Sequence, residues 1–238
     1  MLFDDHNLVW GLSEKDDGSM KLQDDDNQTL MNRQKFFAKH NISHVATVTA
    51  GLAHGRTVAV VSRQDAGQII KQTDGLITDV PGLTLTVTVA DCLPIYFFDP
   101  QKQVIGLAHA GWRGLSQNII RAVLDGLQKN FNCQVANLLA YIGPHIKKCH
   151  FEIKADRGRY FQAYPECLIK KDRRIFLDLT GLAEAQLKTA GLLKNNIASS
   201  NVCTFEAVNK YFSWRRDPAA KIQAMIAYIG LPPKSHLS

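Results

Sequence analysis

Residues 83–114 read LTLTVTVADCLPIYFFDPQKQVIGLAHAGWRG and contain the clearest fold signal in the chain. Two apolar and β-branched runs, residues 83–89 and 104–108, have the composition of strands. The first run leads to Cys92 and the second leads to His109. Because strand ends lie at the rim of a sheet, we expect neighbouring strands to bring this thiol and this imidazole to one place.

Two kinds of chemistry use a thiolate beside an imidazole. The pair is a soft ligand set that suits zinc or copper, and it can also act as a nucleophile with its base. His54, in a predicted turn between strands at 45–49 and 57–62, is the candidate third member. Three protein ligands and one open position are typical of catalytic zinc sites. The spacing of His54, Cys92 and His109 matches no compact zinc finger, so both interpretations stay open at this point.

The composition is that of a globular protein of 238 residues, with 45% hydrophobic and 21% charged residues. The longest apolar segment is interrupted by Asp91, Cys92 and Pro94, which argues against a membrane span. The five cysteines form no CxxC pair, and no stretch resembles a secretion signal. We therefore predict a protein with free thiols in the cytoplasm and no membrane partner.

The chain is basic, with a formal charge of +6 and a pI near 9.1. This balance favours anionic ligands such as phosphate. Basic clusters at 147–148, 170–174 and 215–216 are interpreted as solvated surface. Because no nucleic-acid recognition motif accompanies them, nucleic acid is not expected as a partner. The sequence does not indicate whether the chain self-associates.

The predicted secondary structure mixes strands with a few helices. A helix over 29–39 follows the acidic residues 24–26, another begins near Leu115, and a third begins after Thr180. In the second helix the apolar positions from Ile119 to Phe131 form one face, and in the third the predicted face holds Leu182, Ala185 and Ala190. The predicted strands are 45–49, 57–62, 76–80, 83–89, 95–98, 104–108, 138–142, 211–215 and 223–229. The pattern favours a single α/β domain over residues 1–238, with a mixed β-sheet flanked by helices.

A candidate anion site follows His109. Gly111, Arg113 and Gly114 stand where a strand turns into a helix, and free backbone N–H groups with a guanidinium bind anions well. The alternative is a tight turn with Trp112 packed in the core, which explains the glycines and leaves Arg113 without a role.

Four motifs occur in an order that resembles one known family. They are ADCLP at 90–94, HAGWRG at 109–114, IGPHI at 142–146 with Cys149 and Glu152, and FSWRRD at 212–217. Together they resemble the YfiH-type family, also called laccase-domain or polyphenol-oxidase-like proteins, over about residues 9–229.

The resemblance implies an α/β fold related to that of deamidating toxins with a Cys–His pair. It also implies a zinc site in which His54, Cys92 and His109 are metal ligands and catalytic residues. The implied activities are phosphorolysis of adenosine, inosine and methylthioadenosine, and deamination of adenosine. Purine nucleosides and phosphate are then the partners. An older family label implies copper-dependent oxidation of phenols, with copper as the alternative metal.

The resemblance also leads to expectations for residues around the ligands. Arg113 with the amides of Gly111 and Gly114 is the candidate phosphate cradle, and Arg215 is a second cation. Asp91 is expected to orient a ligand histidine from outside the coordination shell. Residues His145, Cys149 and Glu152 are expected to line or support the pocket, although a purely structural role for Cys149 is equally open.

The sequence departs from the family pattern in three places. Leu52 replaces a glutamine before the first ligand histidine, residues 15–20 read KDDGSM in place of a glycine-rich motif, and residues 221–225 read KIQAM. Since the three metal ligands are retained, these changes are expected to alter substrate preference or rate.

Three other functions compete with this interpretation. Cys92 with His109 as base would give a cysteine hydrolase or deamidase. A copper phenol oxidase is disfavoured because one His–Cys cluster and eight histidines do not easily supply several copper centres. A non-catalytic binding module would leave the His–Cys set without a purpose.

Overall fold

The computed structural model describes residues 2–4, 6–21, 27–217 and 222–233. These residues form four α-helices, fourteen β-strands and several short 3-10 turns. The helices are α1 Asn27–Lys39, α2 Trp112–Ser116, α3 Ile119–Phe131 and α4 Leu179–Thr189. The strands are β1 Val9–Leu12, β2 Thr47–Gly51, β3 Val58–Val60, β4 Ile69–Lys71, β5 Gly75–Thr78, β6 Thr84–Val89, β7 Leu93–Asp99, β8 Val104–Ala110, β9 Leu139–Ile142, β10 Glu152–Ile153, β11 Leu168–Lys171, β12 Arg174–Leu177, β13 Ile197–Ser199 and β14 Met225–Gly230.

The strands of the described residues form three sheets. One has five strands in the order β1-β14-β6-β2-β4, and another has six in the order β13-β9-β7-β8-β5-β3. The third is the small sheet β10-β12-β11. Both large sheets contain parallel and antiparallel pairs. The predicted α/β class with mixed pairing and flanking helices is confirmed, but the strands are divided among three sheets where one was predicted.

Strand β7 lies in the middle of the core and is buried on both faces. Tyr96 and Phe98 pack among side chains of the five-stranded sheet, whereas Ile95 and Phe97 pack on the side covered by α3. A strand covered on both faces reads as a continuous apolar run. This explains why residues 95–98 show no alternation with polar residues.

The predicted face of α3 is buried as expected, but the helix does not begin near Leu115. A separate short helix, α2, occupies 112–116, and Asn118 adopts a left-handed backbone with φ of 60° before α3 starts. Asparagine tolerates this conformation better than most residues. The chain therefore changes direction between the two helices.

Two other expectations were wrong in detail. Residues 211–215 form no strand, because Ser213 and the backbone N–H of Arg215 bind the Asp91 carboxylate and no ladder forms there. In α4 the buried face consists of Leu179, Leu182, Ala183, Gln186 and Leu187, and Ala185 and Ala190 lie only at its margin. These buried positions still follow a helical period.

The first helix agrees with its prediction and begins two residues earlier. The acidic residues 24–26 expected to precede it lie outside the described residues. None of the helices described here combines the length and apolar character that crossing a bilayer would require.

Candidate metal centre and cavity

The pairing of β7 with β8 sets the positions of Cys92 and His109. In the antiparallel register Pro94 faces His109 and Leu93 faces Ala110. Cys92 therefore lies directly before β7, beside Gly111 at the end of β8. The strand that precedes Cys92 in sequence, β6, belongs to the other large sheet. The start of β7 therefore places the thiol beside the imidazole. The sequence pattern had predicted instead that the end of the strand at 83–89 would place it there.

His54 is held in place by a buried carboxylate. The Asp74 side chain accepts hydrogen bonds from the backbone N–H groups of Ala53 (3.3 Å), His54 (2.9 Å) and Gly55 (2.8 Å). His54 itself has a positive φ of 59°. These bonds fold the loop between β2 and β3 so that His54 points toward the β7–β8 edge.

The structure brings His54, Cys92 and His109 together. Their ligand atoms all lie within 4.8 Å of one another. The two imidazole rings are 4.8 Å apart and nearly perpendicular, at 81°. A Cβ atom at Gly111 would be 2.9 Å from Cys92 Sγ, so this position needs glycine to make room for the sulfur.

Asp74 also orients the imidazole of His109. The distance from His109 Nδ1 to Asp74 Oδ1 is 3.1 Å, and both side chains are almost fully buried. Nε2 is therefore the ring nitrogen that remains for a metal ion. A carboxylate in this position fixes the tautomer and the ring of a ligand histidine. Sequence reasoning missed Asp74, and its only local signal is a position directly before β5.

The electrostatics of the cluster favour a positive charge between its members. Burial alone would lower the pKa of His109, but the Cys92 sulfur and the Asp74 carboxylate outweigh it and raise the pKa to about 9. Burial would likewise raise the pKa of Asp74, but hydrogen bonds from His109 and from the Gly55 and His54 amides lower it. Burial and the neighbouring His109 lower the pKa of His54, which favours its neutral form.

The donor set fits a divalent metal ion. Two imidazoles and one thiolate are ligands that zinc accepts, and three protein ligands leave a position for water or substrate. His109 and Cys92 are buried or half-buried, whereas His54 is exposed at the rim. The open side of the cluster therefore faces solvent through a cavity.

That cavity has a volume of about 270 Å³ and combines cationic with aromatic walls. This volume is slightly below the usual range for small-molecule sites, roughly 300–1,000 Å³. The cationic and aromatic residues that line the cavity include Lys21, Trp112, Arg113, Phe151, Arg157, Trp214 and Arg215. The guanidinium carbons of Arg113 and Arg157 lie 4.8 and 4.9 Å from the Trp112 ring centroid. Sequence reasoning missed Arg157 and Lys21, because neither belongs to a recognisable motif.

Trp112 and Gly114 have roles that the sequence did not separate. Trp112 is half-buried: it packs against the core beneath α3 and also lines the cavity, so the alternative in which it packs in the core holds in part. Gly114 does not line the cavity, and a Cβ atom there would be 2.9 Å from the carbonyl oxygen of Gly55. Gly114 therefore allows α2 to pack closely against the backbone of the His54 loop. The close contact that requires this glycine is with the protein itself.

Arg215 lines the cavity with limited freedom. Its backbone N–H donates to Asp91 Oδ2 (2.7 Å), and its Nη1 donates to the Glu152 carbonyl oxygen (3.0 Å). The guanidinium carbon lies 5.2 Å from the Phe151 ring centroid. The cation is thus fixed beside an aromatic wall.

The expectation that Asp91 orients a ligand histidine is wrong. Its Oδ1 accepts a hydrogen bond from Thr204, and its Oδ2 accepts from Ser213 and from the Arg215 amide. Asp74 performs the orienting role for His109. Asp91 instead connects the segment before β7 to the chain at 204 and 213–215.

The residues of the IGPHI segment lie outside the cavity. His145 is fully buried, with Nδ1 2.7 Å from the Gly143 carbonyl oxygen and Nε2 2.9 Å from Thr180 Oγ1. Cys149 lies at the surface, and neither it nor the Glu152 side chain is part of the cavity wall. His145, Cys149 and Glu152 were expected to line or support the pocket: none of them lines it, and Glu152 supports it through the carbonyl oxygen that binds Arg215.

Burial of His145 predicts a pH dependence of stability. Burial, with a smaller effect of Lys147, lowers the pKa of His145 to about 3. In the unfolded chain this pKa is about 6.5, so the unfolded state takes up a proton first as the pH falls. The contribution of His145 is complete above pH 6.5 and declines below it, by up to about 1.4 kcal/mol per pH unit.

His145→Gln is expected to reduce this decline in the free energy of unfolding between pH 6.5 and 4.5. Denaturant titrations at several pH values measure it, and His44→Gln, at an exposed histidine, is the control. Equal pH slopes for His145→Gln and the unaltered protein would contradict the assignment.

Fold and site together define a class: a mixed α/β protein with a His–Cys cluster at the base of a cationic, aromatic cavity. The family model described as "Multi-copper polyphenol oxidoreductase laccase" matches residues 11–232, and the chain belongs to this family. The resemblance to YfiH-type proteins is thereby confirmed.

Similarity to individual proteins and to a solved structure is consistent with this family assignment. The chain is similar to a purine nucleoside phosphorylase of Deinococcus radiodurans, with 32% identity over 88% of this chain and 79% of that protein. It is 31% identical to the mouse purine nucleoside phosphorylase LACC1 over 60% of this chain, and it spans only 35% of that protein's length. The crystal structure of YlmD from Geobacillus stearothermophilus superposes with a TM-score of 0.90 at 27% identity, covering 95% of this chain and 93% of that one.

Proposed function

We propose that this protein is a zinc-dependent purine nucleoside phosphorylase. Its substrates would be adenosine, inosine and methylthioadenosine, and its products the free base and ribose 1-phosphate or methylthioribose 1-phosphate. One observation carries the proposal. The cluster of His54, Cys92 and His109 opens into the same cavity as the Arg113 guanidinium and the Trp112 ring. The names of the relatives support it.

The three donors would hold the metal ion, and Asp74 would keep the His109 ring in place. When bound, zinc supplies a Lewis acid that polarises an oxygen atom next to it. Leu52 also lines the cavity, where it cannot offer the hydrogen bond of the glutamine it replaces.

Phosphate would bind at the cationic wall. Arg113 is exposed at the cavity and can offer two parallel N–H donors to a phosphate. Arg157, which also lies beside the Trp112 ring, and Arg215 add positive charge. Stacking of Arg113 on Trp112 limits the freedom of the guanidinium, so less entropy is lost when phosphate binds.

The purine would stack on an aromatic wall. Trp112 and Phe151 present ring surface to the cavity, and Trp214 is largely exposed at its edge. A planar base gains contact area on such rings in the offset or edge geometries that aromatic groups prefer.

In phosphorolysis a phosphate oxygen forms a bond to ribose C1′ while the C1′–N bond breaks. The electron pair of that bond goes to the purine, which then takes up a proton. Phosphate is itself the nucleophile, so no protein base is needed to generate it. Among the described residues of the cavity wall the only carboxylate is Asp91, and both its oxygens are engaged. Phosphorolysis therefore matches the wall better than a reaction that needs a carboxylate to move protons.

Adenosine deamination is the second activity we propose for this site. It replaces the amino group at C6 with oxygen from water and releases ammonia. The support is the donor set, since zinc held by histidine and cysteine is used for this chemistry.

A panel of nucleosides with and without phosphate tests the proposal. We expect release of free base that requires phosphate and yields equal amounts of the sugar 1-phosphate, together with slower release of ammonia from adenosine. Base release that is independent of phosphate, or ammonia release alone, would contradict phosphorolysis as the main activity.

Arg113→Ala separates the two proposed reactions. We expect the KM for phosphate to rise roughly tenfold or more, since loss of a charged hydrogen bond costs about 1.5–3 kcal/mol, while deamination changes much less. The control is Arg121→Ala, because Arg121 is an exposed arginine that pairs with Asp125 on α3 and does not line the cavity. Equal losses in both reactions would argue against phosphate binding by Arg113.

Two rival activities share these residues. A Cys92 nucleophile would need one imidazole, and the presence of His54 as a second one favours metal binding. Iodoacetamide should therefore alkylate Cys92 only after a chelator removes the metal, whereas alkylation in the protein as isolated would favour the cysteine hydrolase or deamidase. Copper binds such donors more tightly than zinc, so phenol oxidation is assayed with copper-loaded protein.

A further inference from the structure

A second cluster of metal-ligating side chains lies outside the cavity. The ligand atoms of Cys149, His150 and Cys203 are all within 4.8 Å of one another. The first two residues follow the IGPHI segment, and the third lies on the loop after β13. We propose that this cluster is a second zinc site, with the Glu206 carboxylate as the fourth ligand. We call it the surface cluster.

The donor spacing matches tetrahedral coordination. The Sγ atoms of Cys149 and Cys203 are 3.8 Å apart, and His150 Nδ1 lies 3.1 Å from the first and 3.9 Å from the second. With Zn–S near 2.3 Å and Zn–N near 2.0 Å, tetrahedral geometry separates two sulfurs by about 3.8 Å and a nitrogen from a sulfur by about 3.5 Å. The donors thus need only small shifts to accept the ion.

Glu206 completes the set. Its Oε1 atom is 3.5 Å from His150 Nδ1, and its largely exposed side chain also lies within hydrogen-bonding reach of Cys149. Four protein ligands are typical of closed, structural zinc sites. The surface cluster would therefore differ from the cavity centre, where three ligands leave an open position.

Neighbouring groups hold these donors in place. The His150 ring stacks on Phe205, with centroids 4.2 Å apart and an interplanar angle of 17°. The backbone N–H of Lys147 donates to Cys203 Sγ at 3.4 Å. Arg216 Nη1 donates to the carbonyl oxygens of Thr204 and Phe205 (2.7 and 2.9 Å), so its cation lies beside the same loop.

The position of the surface cluster gives it a role in supporting the cavity. Cys203 precedes Thr204, whose hydroxyl binds Asp91, the residue before Cys92. His150 precedes Phe151, which lines the cavity. An ion there would tie together two segments that hold the cavity wall, so its removal should lower stability as well as metal content.

Cobalt titration of the full-length chain tests the second site. The protein carries His54→Ala and Cys92→Ser, so that the cavity centre is removed and the result does not depend on the proposed activity. After stripping with a chelator, we expect one Co²⁺ per chain with thiolate-to-cobalt charge-transfer absorbance, displaced by Zn²⁺. Adding Cys149→Ser should lower the absorbance to about half and weaken binding at least tenfold.

Matched variants make the outcome decisive. Cys167→Ser replaces a buried free cysteine elsewhere and should leave the absorbance unchanged. His150→Ala keeps both thiols and should also weaken binding, and metal analysis of the unsubstituted protein should give two ions per chain. Absence of the band in the His54→Ala/Cys92→Ser protein, or a band unaffected by Cys149→Ser, would overturn the proposal. So would a disulfide between Cys149 and Cys203 that forms in air without metal binding.

Discussion

Replacing His109 with alanine is expected to abolish metal binding at the cavity and to reduce nucleoside turnover by more than about 100-fold. The loss should exceed the roughly 10–100-fold effect of removing a residue that only orients a ligand. Two causes act together, since the variant loses a donor to the ion and leaves the buried Asp74 carboxylate without its imidazole partner.

Metal analysis and a phosphorolysis assay measure the two effects. The analysis is best done in a Cys149→Ser background, in which the surface cluster is expected to bind metal at least tenfold more weakly. His44→Ala, at an exposed histidine that does not line the cavity, is the control and should keep both metal and activity. Unchanged turnover in a folded His109→Ala protein would exclude His109 from the chemistry.

Replacing Asp74 with asparagine is expected to weaken zinc binding 10- to 100-fold. The amide keeps the size of the side chain but removes the negative charge that orients His109 and accepts three backbone N–H groups. Hydrogen bonds to a charged group contribute about 1.5–3 kcal/mol each, so the free energy of unfolding should fall as well. The His54 loop should be the first part to loosen.

Competition with a zinc-binding dye measures the affinity, and denaturant titration measures the stability. Asp79→Asn is the matched control, since Asp79 is an exposed aspartate at the end of the same strand. Should zinc affinity be the same in both variants, the proposed role of Asp74 as the orienting carboxylate would be untenable.

The members of the cavity cluster could be named from sequence because each stands beside a strong local signal. Cys92 and His109 adjoin apolar runs that form β7 and β8, and His54 lies in a turn before β3. The strand pairing that brings them together was harder to predict from the sequence. The run at 83–89 forms β6 in the other sheet, and only the β7–β8 register places the thiol beside Gly111.

The supporting residues could not be predicted, because their contacts are long-range and carry no pattern. Asp74 reaches His109 across 35 positions, and Asp91 reaches Ser213 across 122. Adjacency in sequence made Asp91 the expected partner of a histidine, but its backbone conformation turns the carboxylate elsewhere. Arg157 approaches Trp112 from a 3-10 segment that no motif marks.

The same reason explains the errors in the fold. Residues 211–215 have the composition of a strand, yet the Asp91 carboxylate takes the hydrogen bonds that a ladder would need. The surface cluster was missed because Cys149 and Cys203 are 54 positions apart in the sequence. Sequence periodicity reports local packing and does not report which distant loops meet.

Anomalous X-ray scattering at the zinc edge, from crystals of the protein as purified, tests the central claim most directly. The account predicts a zinc peak about 2.3 Å from Cys92 Sγ and about 2.0 Å from His109 Nε2, with His54 as the third protein ligand. A map without a peak between these three residues, in crystals of active protein, would contradict it.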